Sequence, residues 1–131
     1  MRLGSSSREV WIIAPTFRLF VSHPTVFATT LGDGVYRSVN RGNSWQLFNT
    51  GIANKYLKGN LEIAKVGSTD YVLFLAPGHG ELYRRSSSET SWTKLLGTTA
   101  GVSIVAVSPS FAQNTTVMTA STSGNLQISI D

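Results

Sequence analysis

The side chains that could carry out acid–base catalysis are few and widely spaced. The seven carboxylates are Glu9, Asp33, Glu62, Asp70, Glu81, Glu89 and Asp131. A glycosidase needs two carboxylates across a cleft, and Asp33 and Glu81 are the pair with related surroundings, since each lies near a turn between strand-like runs. Asp33, however, stands in the run Leu31-Gly32-Asp33-Gly34, which is typical of a hairpin turn. This explains Asp33 without a catalytic role.

The sequence also lacks a recognisable metal-binding or nucleophile motif. The two histidines, His23 and His79, lie near predicted turns without the spacing of metal ligands. The absence of cysteine excludes disulfides, thiolate-bound zinc and thiol nucleophiles. Serine is frequent, but no Gly-x-Ser-x-Gly elbow occurs. We therefore predict no catalytic residue, no metal and no cofactor.

Charge and hydropathy exclude further classes of function. The net charge is +4, and the longest basic run is the pair Arg84-Arg85. Nucleic-acid binding usually shows a clustered basic footprint, so we do not expect a nucleic-acid partner. No apolar run approaches the roughly 20 residues of a membrane span, and no secretion signal is recognisable. The location is unknown, and we take it as cytoplasmic by default.

The stretch from Ser38 to Trp45 is typical of a tight turn between two strands. The amide of Asn40 can fold back onto nearby backbone N–H groups, and the hydroxyl of Ser38 can bond the turn backbone. Gly42 can adopt a positive φ at little cost. Trp45 offers a large apolar plate that can cover the turn from the core side.

These residues resemble the Asp-box (BNR) repeat, whose pattern is Ser-x-Asp-x-Gly-x-[Ser/Thr]-Trp. The matching residues are Ser38, Asn40, Gly42, Ser44 and Trp45, with Asn40 where the family usually has Asp. In that family the box joins the third and fourth strands of a β-propeller blade and acts as a structural latch. The nearest resemblance is to sortilin-like and photosystem-assembly propellers, which implies partner binding without catalysis.

Sialidases also contain Asp boxes, which makes this enzyme class the alternative to a non-catalytic propeller. The resemblance implies an arginine triad, a Tyr–Glu nucleophile pair and an acidic proton donor for that chemistry. The arginines Arg37, Arg84 and Arg85 are not placed by any motif of that family. We therefore assign no catalytic residue on this ground.

The box region recurs along the chain at fixed offsets. An offset of 47 relates Trp45 to Trp92, Phe27 to Phe74 and Tyr36 to Tyr83. An offset of 91 relates Val26-Phe27 to Val117-Met118, and Ser38-Val39-Asn40 to Ser129-Ile130-Asp131. The second box keeps only Ser91 and Trp92, and the third shows only its opening Ser129 and Asp131. An upstream segment also repeats, since Ile12–Phe17 resembles Ala106–Phe111.

Repeats of about 45 residues with four strands each are typical of propeller blades. We therefore predict an all-β fold of antiparallel four-stranded propeller-type blades, two full and a partial third, without an amphipathic helix. The predicted boundaries are a frayed N-terminus at 1–7 and a single repeat domain at 8–131, with blades at about 8–50, 60–97 and 102–131. The predicted fourth strands are Trp45–Asn49 and Trp92–Leu96.

Two full blades and a partial third do not close a ring, because propellers need roughly four to eight blades. An open stack would leave apolar faces exposed. The chain is then a piece of a longer propeller, or several copies complete one ring, or the strands re-pair into a sandwich. We favour self-association, with Met1–Ala14 as one source of the missing strand.

The remaining candidates for ligand contact are Tyr36 and Tyr83, which occupy equivalent third-strand positions. Such aromatics can stack on sugars or fill partner pockets, but equivalence across repeats also results from shared packing between blades. We predict a non-catalytic binding or scaffolding module for a protein or peptide partner. The alternatives are a carbohydrate-binding or sialidase/glycosidase-related fragment, and a mobile or decayed gene fragment with no selected activity beyond folding.

Overall fold

The protein is mostly β. The computed structural model describes residues 10–13, 25–95 and 101–130, with the backbone alone for 10–13. Within these residues the chain forms three antiparallel sheets of three or four strands and one short helix, which confirms the all-β prediction. The predicted frayed terminus 1–7, His23 and Asp131 lie outside the described residues.

Each sheet is formed by strands that follow one another along the chain. The first sheet contains β1 (Val10–Ile13), β2 (Val26–Thr30), β3 (Gly34–Ser38) and β4 (Gln46–Leu47). The second contains β5 (Leu61–Lys65), β6 (Tyr71–Leu75), β7 (Tyr83–Ser86) and β8 (Thr93–Lys94). The third contains β9 (Val102–Val107), β10 (Val117–Ser121) and β11 (Leu126–Ser129), with the helix α1 (Phe111–Asn114) between β9 and β10.

The strand registers repeat with the offsets found in the sequence. Between the second and third strands of the successive sheets, the equivalent pairs are Phe27 with Arg37, Phe74 with Arg84, and Met118 with Ile128. Between the third and fourth strands, Tyr36 pairs with Leu47 and Tyr83 with Lys94. Since register decides which side chains share a face, equivalent residues occupy equivalent faces in the three sheets.

The first strand departs from the sequence alignment. Aligning Ile12–Phe17 with Ala106–Phe111 makes Ile13 equivalent to Val107. In the structure Ile13 pairs with Phe27, and the residue paired with the Phe27 equivalent, Met118, is Ala106. The alignment is therefore wrong by one residue here, which in a strand exchanges the two faces.

The described chain forms two compact units. The first comprises the described residues up to Asn49 together with Ala53–Leu57. Inside it the Phe27 and Phe48 rings pack at a centroid distance of 5.4 Å. The side chain of Asn49 closes the sheet end, accepting from the Val35 N–H at 2.7 Å and donating to the Asp33 carbonyl at 2.6 Å.

The second unit comprises Thr50–Ile52 and the described residues from Lys58 onward. Its core lies between the second and third sheets. Buried residues of both sheets form one cluster: Ala64, Val72, Phe74, Ala76, Leu82, Val102, Val105 and Val117. Phe111 of α1 packs edge-on against Phe74, with ring centroids 5.6 Å apart.

A polar contact also joins these two sheets. Asn60 donates from Nδ2 to the Val105 carbonyl at 2.7 Å and accepts the Val105 N–H at 2.8 Å. The side-chain amide thus satisfies both backbone groups of one residue. The neighbouring Gly59 leaves no room for a methyl group, which would overlap the Ala76 carbonyl oxygen.

Candidate binding surface

The turn at Ser38–Trp45 is held by a closed set of side-chain bonds. The Ser38 hydroxyl accepts the Gly42 N–H at 2.8 Å and the Asn40 N–H at 3.3 Å, and donates to Asn40 Oδ1 at 3.0 Å. Asn40 Oδ1 also accepts the Ser44 N–H at 2.9 Å, and its Nδ2 donates to the Ser44 hydroxyl at 2.8 Å. Gly42 has φ 88°, a conformation that favours glycine.

Trp45 closes the turn with a polar contact as well as with its ring. The indole Nε1 donates to the Gly42 carbonyl at 3.0 Å. The side chain is half-buried, so it covers the turn without entering the interior completely. The turn is thus closed by the Asn40 side chain on one side and by the indole on the other.

The second turn reaches a similar closure with different residues. Glu89 accepts the Ser86 N–H at 2.6 Å and pairs with Arg84 at 3.0 Å. Arg85, at the position of Ser38, donates to the Glu89 carbonyl at 3.2 Å. The bond to Ser86 and the charge of Arg84 lower the pKa of Glu89, against a smaller opposing effect of burial. A carboxylate and a guanidinium thus replace the hydroxyl and amide of the first turn.

Trp92 lies deeper than Trp45. Only 3% of its surface is exposed, and its backbone N–H donates to the Thr50 carbonyl at 2.7 Å. In the third sheet Ser129 stands opposite Val117 as Ser38 stands opposite Val26. Asp131, the other residue predicted for a third box, lies outside the described residues.

The two candidate ligand-facing tyrosines have different surroundings. Tyr36 is half-buried. Tyr83 is buried, and its hydroxyl donates to Glu81 Oε2 at 2.7 Å. Lys94 donates to the other oxygen of Glu81 at 2.6 Å. The Lys94 and Tyr83 bonds lower the pKa of Glu81. This carboxylate is therefore ionised at neutral pH and accepts hydrogen bonds from both side chains. Tyr83 presents no ring surface on which a sugar could stack.

Candidate metal ligands do not cluster among the residues that the structure describes. These contain no group of three or more His, Asp and Glu side chains close enough to hold a metal ion. His79 is exposed in its turn. In the same residues, no helix has the length and hydropathy needed to cross a membrane.

The sequence predicted exposed apolar faces in an open stack, but it did not predict which residues would form one. One face of this sheet, here called the outer face, consists only of apolar side chains: Ile104, Ala106, Met118, Ala120, Leu126 and Ile128. The exposed fractions of Ile104, Leu126 and Ile128 are 55%, 62% and 60%. Because side chains alternate between the two faces of a strand, the residues of β9, β10 and β11 divide into one apolar and one mixed face. This division does not show which of the two faces the second sheet covers.

The same positions are covered in the second sheet. By register, Met118, Ala120 and Leu126 correspond to Phe74, Ala76 and Leu82. Those three residues are buried in the core cluster beneath Val105 and Val117 of the third sheet and Phe111 of α1. The outer face of the third sheet is therefore the apolar surface on which, in the second sheet, another sheet packs.

A cleft opens beside β11. It has a volume of about 700 Å³. The second sheet contributes Val72, Phe74, Leu82 and Leu95 to its walls, and the third sheet side contributes residues that include Thr115, Gln127 and Ser129. Arg84 also lines the second-sheet wall, so both walls combine apolar and polar groups.

No protein-family model, curated protein or solved structure matches this chain.

Proposed function

We propose that the protein is a non-catalytic binding and scaffolding module whose sheets are successive propeller-type blades of the Asp-box kind. The observation that carries the proposal is the exposed outer face of the third sheet, whose equivalents in the second sheet are buried under a following sheet. The repeated register and the hydrogen-bonded turn at Ser38–Trp45 support the Asp-box resemblance. The partner is another protein that supplies a sheet.

The outer face favours an apolar protein surface over a polar ligand. Three of its side chains, Ile104, Leu126 and Ile128, expose more than half of their surface, and large exposed apolar patches mark interaction sites. Covering such a surface is favourable by roughly 25 cal/mol per Å². We propose that the covering partner is a second copy of this chain, so that a sheet of one copy packs on the third sheet of another.

Light scattering coupled to size-exclusion chromatography tests this function over a range of concentrations. We expect the mass of the 131-residue chain to rise with concentration. Ile104→Asp places a charge on the outer face, and we expect it to remain monomeric. Val39→Asp is the matched control, because Val39 is equally exposed at 54% but lies in the first Asp-box turn.

A chain that stays monomeric at every concentration would refute the assembly. So would an Ile104→Asp variant that associates as the wild type does while its circular dichroism is unchanged.

A further inference from the structure

The fourth strands of the first two sheets are held by the same backbone bond. In the first sheet the Phe48 N–H donates to the Val35 carbonyl at 2.8 Å, and in the second the Leu95 N–H donates to the Leu82 carbonyl at 2.8 Å. By register the corresponding acceptor in the third sheet is the carbonyl of Leu126. The third sheet has the order β11-β10-β9, so within the described residues no strand pairs with the other side of β11.

Both bound fourth strands share a side-chain pattern. A tryptophan is followed three residues later by an apolar residue, in Trp45-x-x-Phe48 and in Trp92-x-x-Leu95. Phe48 packs on Phe27 and lies under the Arg37 guanidinium at 4.7 Å. The equivalents of Phe27 and Arg37 in the third sheet are Met118 and Ile128, both on the outer face.

The tryptophan lies on the opposite side of the strand. Because Gln46 pairs with Arg37, the preceding residue, Trp45, comes next to Ser38 and on the other face. The corresponding position in the third sheet is beside Ser129, which lines the cleft of about 700 Å³. Thr115 and Gln127 border the same cleft. An indole added here would have room and would meet both apolar and polar groups.

We propose that β11 accepts an extended segment of the pattern Trp-x-x-Φ, where Φ is Phe or Leu, from another polypeptide. The segment adds antiparallel to β11 as a fourth strand. Its Φ N–H donates to the Leu126 carbonyl, its Φ side chain lies over Met118, and its tryptophan enters the cleft beside Ser129. This is β-augmentation, in which the main chain supplies affinity and the side-chain pockets supply specificity. The proposal rests on the proposed binding function. The segment binds the edge strand of the third sheet, whereas the second copy covers its outer face.

A synthetic peptide with the sequence of residues 43–49, Asn-Ser-Trp-Gln-Leu-Phe-Asn, is the probe. It is labelled at its N-terminus and titrated with the 131-residue chain by fluorescence anisotropy, using Ile104→Asp as the receptor if the wild type self-associates. We expect saturable one-to-one binding. Hydrogen exchange should show slowing at the Ile128 amide, which is the equivalent of Arg37 and points to the open edge.

Two modified peptides separate strand addition from simple hydrophobic adsorption. N-methylation at the phenylalanine removes the N–H that bonds Leu126, so we expect binding to weaken at least tenfold, or about 1.4 kcal/mol. N-methylation at the leucine is the matched control, because alternate N–H groups of an edge-pairing strand point away from the sheet. Replacing the tryptophan by alanine should also weaken binding.

Receptor variants distinguish the failure of this proposal from failure of the assembly. Leu126→Asp changes a residue beside the open edge and should weaken binding of the peptide. Ile104→Asp lies on the same face but on the far strand β9, and it should leave peptide binding unchanged. Because both residues lie on the outer face, both variants should lose self-association, and only the peptide titration separates them. The absence of saturable binding to a folded receptor, or equal binding by the two N-methylated peptides, overturns the proposal.

Discussion

Single side chains hold the turn at Ser38–Trp45 in place of a longer hydrogen-bonded ladder. The hydroxyl of Ser38 and the amide of Asn40 together satisfy the N–H groups of Asn40, Gly42 and Ser44. These N–H groups lie in a reversed chain segment without strand partners, so the side chains supply the bonds that a turn otherwise takes from water. The turn needs an acceptor at residue 40, and an amide oxygen serves as well as a carboxylate.

Ser38→Ala tests how much this closure stabilises the protein. Ser38 is buried, and its removal leaves the Gly42 N–H without its acceptor at 2.8 Å. We expect a loss of about 1–3 kcal/mol in the free energy of unfolding, measured by urea denaturation. Ser44→Ala is the control, because Ser44 is exposed and its backbone bond to Asn40 persists. Equal losses for the two variants would contradict the role given to Ser38.

Two glutamates should make opposite contributions to the pH dependence of stability. Burial raises the pKa of Glu62 above 4.5, against a smaller lowering by the Asn60 bond. Its ionised form is thus disfavoured in the folded state, and its effect on stability becomes unfavourable as the pH rises through the folded-state pKa. Glu89 has a lowered pKa, so it stabilises at neutral pH and loses this effect as the pH falls below 4.5.

Replacing each glutamate by glutamine measures these contributions. Glu62→Gln keeps an acceptor for Asn60 and removes the charge, so we expect it to be more stable than the wild type at pH 7. Glu89→Gln should be less stable at pH 7. Both differences should shrink in thermal unfolding below pH 4.5, where the carboxyls become protonated. Differences of the same sign at pH 7 would contradict the assignment.

At the scale of strands and turns, repetition in the sequence predicted more than local pattern did. The offsets of 47 and 91 place the second and third strands of all three sheets in equivalent register, because bulky residues that pack alike recur at equal spacing. The fourth strands are shorter than predicted, at Gln46–Leu47 and Thr93–Lys94. The tryptophans and apolar residues that flank these short strands are held by turn contacts and side-chain packing. A β-propensity pattern does not distinguish such residues from residues that are paired in a strand.

Two elements escaped prediction for physical reasons. The one-residue error in the first strand arose because Ile12–Ile13 and Ala106–Val107 are apolar at both positions, so composition does not reveal which residue faces inward. The helix Phe111–Asn114 spans a single turn, too short for a hydrophobic period. The outer face and the cleft depend on which sheet covers which, a tertiary fact that strand alternation does not contain.

At the scale of the second unit, one amide side chain links two sheets that share a core. Asn60 satisfies both backbone groups of Val105, at 2.7 and 2.8 Å, in the position of a strand partner. The apolar cluster supplies most of the attraction between the sheets, since burial is the dominant favourable term in folding. The bonds of Asn60 fix the register of one sheet on the other, because apolar contact alone is not directional.

Asn60→Ala tests whether this linkage makes the two sheets unfold together. The variant leaves the Val105 N–H and carbonyl without partners, and we expect a loss of roughly 2–3 kcal/mol. Amide exchange should then show the third sheet, with its exposed outer face, opening at a lower free energy than the second. Asn54→Ala is the matched control, since Asn54 is exposed and its side chain accepts the Tyr56 N–H at 3.0 Å within the first unit. Losses of equal size, or simultaneous opening of both sheets in Asn60→Ala, would show that the apolar core alone couples them.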